Sequence, residues 1–323
     1  MDLTTFSIKL CIEMNKEVFC VETVGNVKTK KKKLKSSKIP YLLLLPSFII
    51  IFALLFYPML RIFYYSFQNY DISAPFYDSF AGLDNFKRIF TDDPLVFPSL
   101  MNSLKWVVCQ VGFQLIFGMI FALILNSKFR FRGLTRGLVF VPWAISGVLT
   151  SVMWSLMYNE HMGVFNDLLM KVGIIDKPEA FLSSTSSAFI AVVIAELWRG
   201  IPFFAVTLLA SLQSISEDLY EAAAMDGATR WDSFLHVTLP QLKETIVLTT
   251  LLRTVWEFNN IDLLYNLTNG GPANSTMTFT MYIAKTAVHG TDFGYGSALS
   301  VVGFLLLSIV AFTYLKISKF EEE

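Results

Sequence analysis

Four ionisable residues lie inside long apolar runs at spacings that let them meet on one helix. Glu196 and Arg199 are three residues apart, and Arg253 and Glu257 are four apart. A charge at the centre of a bilayer costs about 2.5–3.5 kcal/mol, so such groups face a bundle interior and take a partner. The spacing allows two readings: self-neutralised pairs that hold helices together, or pairs that border a polar path. The stretch "WEFNNID" adds Trp256, Phe258, Asn259, Asn260 and Asp262 within two turns. Aromatic faces stack on the C–H side of a sugar ring, while amides donate to and accept from neighbouring hydroxyls, so this mixture suits a polyol. The same amides could instead only hydrogen-bond across helices. On one helix Asn260 lies roughly 30 Å from Pro240, in the outer half of a bilayer.

The elements that must carry these residues follow from composition. Of 323 residues 54% are hydrophobic and only 16% charged, and the mean hydropathy is +0.53, a balance that excludes an ordinary soluble domain. Six runs reach the length of about 20 apolar residues that a crossing needs. They lie near Tyr41–Phe67, Leu104–Asn126, Gly137–Tyr158, Ala188–Leu212, Ile246–Leu267 and Ala298–Leu315. They are too long and too uniformly apolar for barrel strands, which predicts an all-α polytopic membrane protein with six transmembrane helices. Net charge is zero, but seventeen Lys and Arg fall on one side of this topology and six on the other. The positive-inside rule then places both termini, and the loop 214–240, in the cytoplasm.

Residues 1–38 read as a basic, mobile cytoplasmic extension, 39–320 as the six-helix membrane domain and 321–323 as a tail. "KTKKKKLKSSK" precedes the first span and reads as an orientation signal rather than a nucleic-acid patch. No cleavable signal pattern precedes it, and Met14 is an alternative start. Cys11, Cys20 and Cys109 lack metal-ligand spacing and read as unpaired thiols; Asn266 and Asn274 begin short glycosylation-type patterns that carry little weight. His161, His236 and His289 are expected in loops, in no metal or catalytic motif, which argues against a membrane-embedded enzyme. "NGGPANST" reads as an outer turn.

The loop between the fourth and fifth runs, "DLYEAAAMDGATRWDSFLHVTLP", reads as two short amphipathic helices. Ser214 with Glu217, or alternatively Ser216, starts the first. Leu219, Ala222 and Ala223 share one side of it, and Gly227 ends it. Thr229 with Asp232 starts the second, which carries Trp231, Phe234 and Leu235, and Leu239-Pro240 leads into the next helix. By pattern alone this is either a connector lying on lipid headgroups or a surface for another protein.

The stretch resembles the signature loop of ATP-binding-cassette importer permeases: Glu-Ala-Ala, three residues, Gly, nine residues, Ile, one residue, Leu-Pro. Glu221, Ala222, Ala223, Gly227, Leu239 and Pro240 match, with Val237 at the isoleucine position and Ser216 where relatives often have proline. "LWRGIPFFAVTLLASLQSISEDLYEAAAMDGA", "VWEFNNIDLLYNLTNGGPANSTMTFTMYIAKTAV" and "WSLMYNEHMGVFNDLL" resemble the carbohydrate-importing branch of that family.

The resemblance implies a type I importer permease fold and a coupling role for the loop, which would dock on a cytoplasmic ATPase. In the maltose permease the similar "FNN" segment contributes to the sugar site, which implies that role for Phe258, Asn259 and Asn260. Implied partners are a second permease as heterodimer, two copies of a P-loop ATPase, an extracytoplasmic solute-binding protein and the lipid of a bacterial or archaeal plasma membrane. No "GxxxxGK[ST]" occurs in the chain, so ATP and Mg are expected on the partner ATPase, with no cofactor, metal or nucleic acid here. A rival is an ion-driven secondary transporter with Glu196, Glu257 or Asp262 as the coupling carboxylate. Arg199 and Arg253 each have an acidic neighbour, which leaves no cationic cluster for a phosphorylated substrate.

Overall fold

The computed structural model describes residues 10–14, 17–21, 39–74, 76 and 78–318. The lysine run at 28–38 and the tail at 321–323 lie outside the described residues. The chain divides at Arg61 and Ile62 into two units. In the first, β1 (Leu10–Met14) and β2 (Glu17–Val21) form an antiparallel ladder with Leu10 opposite Val21. α1 (Ile39–Ile51) passes through a π-widened turn at Phe52–Phe56 into α2 (Tyr57–Tyr65), whose last residues, from Ile62, belong to the second unit.

The second unit holds a two-stranded ladder, β3 (Gln68–Asn69) with β4 (Ser79–Phe80), followed by α3 (Asp84–Thr91) and the long α4 (Val96–Asn126). α5 (Arg132–Ala144), α6 (Gly147–Met157) and α7 (Val164–Lys171) lead to α8 (Thr185–Leu212). Two short helices, α9 (Glu217–Met225) and α10 (Arg230–Ser233), precede α11 (Leu239–Asn259). α12 (Asp262–Thr268), α13 (Phe279–Ala284) and α14 (Phe293–Ser318) complete it.

Among the described residues four helices are long and apolar enough to cross a membrane: Leu43–Tyr65, Val96–Asn126, Thr185–Leu212 and Phe293–Ser318. A fifth crossing exists if α5 and α6, which meet at 94°, are one broken span. The six uniform runs expected from hydropathy therefore need correcting at two places. The third run breaks at Ile145 and Ser146, where Ile145 is extended, Pro142 removes a backbone donor, and the Ser146 hydroxyl caps α6 by accepting from Leu149 N at 3.3 Å. The fifth breaks after Asn259, where Asn260 turns extended, so Asp262 opens α12 instead of continuing the helix of Trp256. α11 itself carries Lys243, Glu244, Arg253 and Glu257 and is less apolar than the other long helices. The "NGGPANST" turn forms as expected, with Asn269, Gly270, Ala273 and Asn274 in the left-handed region and a cis Gly271–Pro272 bond.

α4 shows how these helices pack. Its buried positions are Val96, Ser99, Ser103, Trp106, Gln110, Gln114, Gly118, Ala122 and Leu125, a helical stripe that is mostly polar or small where lipid-facing positions are apolar. Gly118 lets α8 come close, since a Cβ there would overlap Phe204 and stand 3.1 Å from the Ala205 amide nitrogen. Apolar clusters lie along the same pair of helices: Trp106 with Ala191 and Ala195 towards one end, Ala122 and Leu125 with Phe204, Leu208 and Leu242 towards the other.

At the N-terminal end of α4 a polar knot ties α3, α13 and α14. Asp93 accepts from the hydroxyls of Tyr282 and Tyr295 and from Leu95 N, while Arg88 pairs with Asp292 at 3.0 Å and stacks on the Tyr295 ring. Burial pushes the Asp93 carboxyl up, but the tyrosine and amide donors and the Arg88 charge outweigh it and hold it below the usual carboxylate range. Burial and the Asp93 bond push the Tyr282 phenol up to about 12.

Gly118→Val is expected to destabilise the protein by about 1–3 kcal/mol through overpacking, read as a lower thermal midpoint in detergent. Because its folded pKa is depressed, the contribution of Asp93 is complete above the ordinary carboxylate pKa and fades as pH falls through the lowered one. The stability gap between wild type and Asp93→Asn should therefore be constant at neutral pH and close on acidification below about pH 4.

Candidate functional site

The two acid–base pairs form as their spacing demands, and they merge into one network across three helices. On α8, Arg199 grips Glu196 with two bonds, Nε to Oε2 at 3.0 Å and Nη2 to Oε1 at 2.8 Å. On α11, Arg253 Nη2 lies 2.6 Å from Glu257 Oε1 and also reaches Glu196 Oε1 at 3.1 Å, joining the two helices. From α4, Gln114 accepts from Arg253 Nε at 2.7 Å and donates to Glu257 Oε1 at 3.1 Å and to Gln110 at 2.8 Å. Trp106 Nε1 donates to Glu257 Oε2 at 3.1 Å, and Gln110 donates to the Val193 carbonyl at 3.1 Å. All four carboxylate oxygens thus have a donor. Glu196 is fully buried and the Glu257 side chain is 1% exposed, whereas the Arg199 side chain is 20% exposed.

That exposure opens onto a cavity of about 530 Å3 at the broken third run. One wall is Trp143, Ala144, Ile145 and Ser146, between α5 and α6; the other is Arg199, Arg253, Val255, Trp256, Glu257, Asn259 and Asn260. Indole surface, amides and a partly exposed guanidinium therefore face one space. Trp256 leans on Phe203 at 5.3 Å, Asn259 donates to the Val255 carbonyl at 2.8 Å, and Asn260 stands 3.5 Å from Glu257 Oε2.

Two residues expected in the same place lie elsewhere. Phe258 points into an apolar cluster with Phe279, Tyr295 and Leu299, because the residue after Glu257 lies about 100° round the helix. Asp262 is exposed at the start of α12, beside Gly147 at the N-terminus of α6, where a Cβ would stand 3.6 Å from its Oδ2. Sequence reasoning missed Trp106, Gln110, Gln114, Trp143, Ser146 and Gly200. The two glutamines four apart in an apolar run, and "VPWAIS" inside another, were the available signals. Gly200 has no chemistry of its own, but a Cβ there would overlap Gln114 and Arg253.

The helix pair after α8 is present as α9 and α10. Ser216, not Ser214, caps α9 by accepting from Asp218 N at 3.3 Å. Gly227, at φ +83°, closes it: Ala228 N donates to Ala223 O at 2.9 Å and Gly227 N to Ala224 O at 3.1 Å. Thr229 and Asp232 form a reciprocal capping box, and these bonds hold the exposed Asp232 carboxyl below the usual range. Tyr220 bonds Thr238 at 2.9 Å, tying α9 to the turn before α11. Glu221 and Ala222 are exposed and Ala223 is half-buried; Met225 is 88% exposed at the tip and Trp231 stacks on Phe234 at 5.4 Å.

α10 runs into α11 through a π-widened turn at Phe234–Thr238, so helical structure continues from Arg230 to Asn259. Leu239 and Pro240 form the first turn of α11. As at Phe52–Phe56 before Pro58, the widened turn precedes a proline, whose ring clashes with the carbonyl four residues back. His236 lies in that turn and His289 in another at Lys285–His289, correcting their expected placement in loops.

Residues 114–319 match the family of binding-protein-dependent transport system inner membrane components. The trehalose/maltose transport system permease protein of Thermococcus litoralis is 34% identical over 93% of this chain and 100% of its own length. The sulfoquinovosyl glycerol permease protein of Agrobacterium fabrum is 34% identical over 85% and 89% of the two chains, and the lactose permease protein of Rhizobium radiobacter 33% over 84% and 91%. In fold, the chain superposes at a TM-score of 0.75 on part of a bacterial ABC transporter that imports the acidic polysaccharide alginate, at 21% identity over 88% of this chain and 96% of that one. It does so again, at 0.75 and 21% over 87% and 93%, on that transporter in complex with an alginate pentasaccharide-bound periplasmic protein.

Arg253→Leu strands Glu257 and removes the α8–α11 link, and is expected to destabilise by about 3–5 kcal/mol. Arg253→Leu with Glu257→Leu removes both charges of that pair and should recover most of the loss. Thermal unfolding of both variants in detergent is the check; equal losses would mean that packing, not charge, governs the site.

Proposed function

The chain belongs to the family of binding-protein-dependent transport system inner membrane components, and from that premise we propose that it forms half of the translocation path of an ATP-driven sugar importer. It is a multi-pass membrane subunit of the type I permease fold. In our reading α11 is the further crossing beside Leu43–Tyr65, α4, the bent α5–α6 pair, α8 and α14, making six. Both termini and the α9–α10 pair then face the cytoplasm.

The observation that carries the mechanism is the unbroken helix from Arg230 to Asn259. It joins the loop of Glu221, Ala222, Ala223 and Gly227 to Arg253, Glu257, Trp256, Asn259 and Asn260, roughly 26 Å from Pro240 to Glu257 at 1.5 Å per residue. ATP binding would close a pair of cytoplasmic P-loop ATPases, which hold the nucleotide and Mg. That closure would push α9 and α10, and α11 would carry the displacement to the cavity. A second permease would complete the path, and an extracytoplasmic solute-binding protein would deliver the sugar, as the alginate transporter's complex with its periplasmic protein suggests.

Within the cavity, Trp143 and Trp256 would stack on the sugar ring and Asn259 and Asn260 would bond its hydroxyls. Arg199 and Arg253 are each paired with a carboxylate, which favours a neutral sugar.

Isolated from its native membrane in mild detergent, the protein is expected to bring a second permease and a P-loop ATPase. Gly227→Pro should lose the ATPase and sugar uptake together. Asn260→Ala should raise the apparent KM for sugar about tenfold, the worth of one hydrogen bond of ~1.4 kcal/mol. Recovery without an ATPase, with uptake abolished by collapsing the ion gradient, would favour the secondary-transporter reading.

A further inference from the structure

An apolar groove of about 1000 Å3 runs between the C-terminal half of α4 and the α9–α11 segment. Leu115, Met119 and Leu123 line one side, and Phe234, Leu239 and Ile246 the other. Its lining also includes Asn126, the last residue of α4, and Tyr220, Arg230 and Trp231 of the short helices α9 and α10 that precede α11. Asn126 lies eleven residues beyond Leu115, about 16 Å along the helix. That is the depth of one leaflet, half of a hydrocarbon core of about 30 Å.

No carboxylate lines the groove, and Arg230 makes no ion pair among the described residues. Asn126 ends α4 just before Lys128, Arg130 and Arg132, so this end lies at the headgroup level, where a basic side chain and an indole both favour lipid. A crossing helix of another protein needs about 30 Å of apolar surface, roughly twice what the groove offers.

We propose that the groove holds the acyl chains of one anionic phospholipid, with its phosphate on Arg230 and its glycerol region against Trp231. The lipid would fill the wedge between α4 and the loop, so its presence would stiffen the α10–α11 segment. Its assignment to the cytoplasmic leaflet rests on the loop facing the cytoplasm, as proposed above. Lipid retention is measured in detergent without transport, so either reading can fail while the other stands.

The test uses the full chain, purified in mild detergent and relipidated with phosphatidylglycerol or phosphatidylcholine, with lipid per chain counted by native mass spectrometry. Wild type should keep one phosphatidylglycerol that phosphatidylcholine does not replace. Arg230→Gln, at an exposed position, should lower that retention at least fivefold. Ile120→Trp, which fills the groove, should abolish it, and Leu305→Trp on the exposed side of α14 should leave it unchanged. Equal retention of both lipids, or no effect of Arg230→Gln, would overturn the proposal in favour of ordinary boundary lipid. It would also be overturned if Ile120→Cys cross-linked to a second polypeptide in the native membrane while phosphatidylglycerol was not retained.

Discussion

Two carboxylates and two guanidinium groups in the middle of an apolar bundle govern what surrounds them. A charge left without a partner at that depth is costly, and pairing on one helix leaves lone pairs and N–H groups unsatisfied. Gln114 answers that need for Arg253 and Glu257 at once, Trp106 serves the second oxygen of Glu257, and Gln110 anchors Gln114 to the α8 backbone. This is why the stripe that α4 turns inward is polar where the lipid-facing stripes are apolar. It is also why position 200 carries no side chain, since the amide and guanidinium occupy the space a Cβ would take. Apolar clusters towards both ends of the α4–α8 contact exclude water, which strengthens the bonds and raises the cost of losing any one of them.

The same network gives mechanical meaning to the continuity of α10 and α11. Helical segments pass on displacement when they are unbroken, and the one irregularity between the loop and Arg253 is a π-widened turn that keeps its backbone bonds. The caps on α9 and α10 make the loop a stiff object rather than a tether: Gly227 closes one helix and the Thr229–Asp232 box opens the next. Tyr220 then holds α9 on Thr238 at the foot of the long helix. The far end is built differently: Asn260 is extended and α12 departs on a new course beside α6. The cavity lies beside that break, between it and the break of α5 from α6.

What the sequence made legible was local. Spacings of three and four residues announced both ion pairs, and the capping residues of the helix pair were readable because a cap is a matter of four consecutive residues. Hydropathy found the long helices but smoothed over both breaks, since Ile145 and Ile261 are as apolar inside an interrupted run as inside a straight one. Phe258 was grouped with its neighbours by composition, whereas its azimuth on α11 takes it to Phe279 and Tyr295. Gln114 and Gly200 were invisible for a different reason: their importance is to each other and to Arg253, and only the juxtaposition of α4, α8 and α11 creates it.

Saturation of the network also bears on which kind of transporter this architecture favours. A carboxylate that carries protons through a transport cycle must exchange partners, and it needs a neighbour that tolerates both of its states. Glu257 receives donors from its own helix and from α4, and Glu196 is held by guanidinium groups from two helices. Asp262 escapes that constraint, but it is exposed at a helix start rather than enclosed with a partner. In a binding-protein-dependent importer the driving force is applied from outside the permease, and in the reading proposed above the capped loop before α11 is where this chain would receive it.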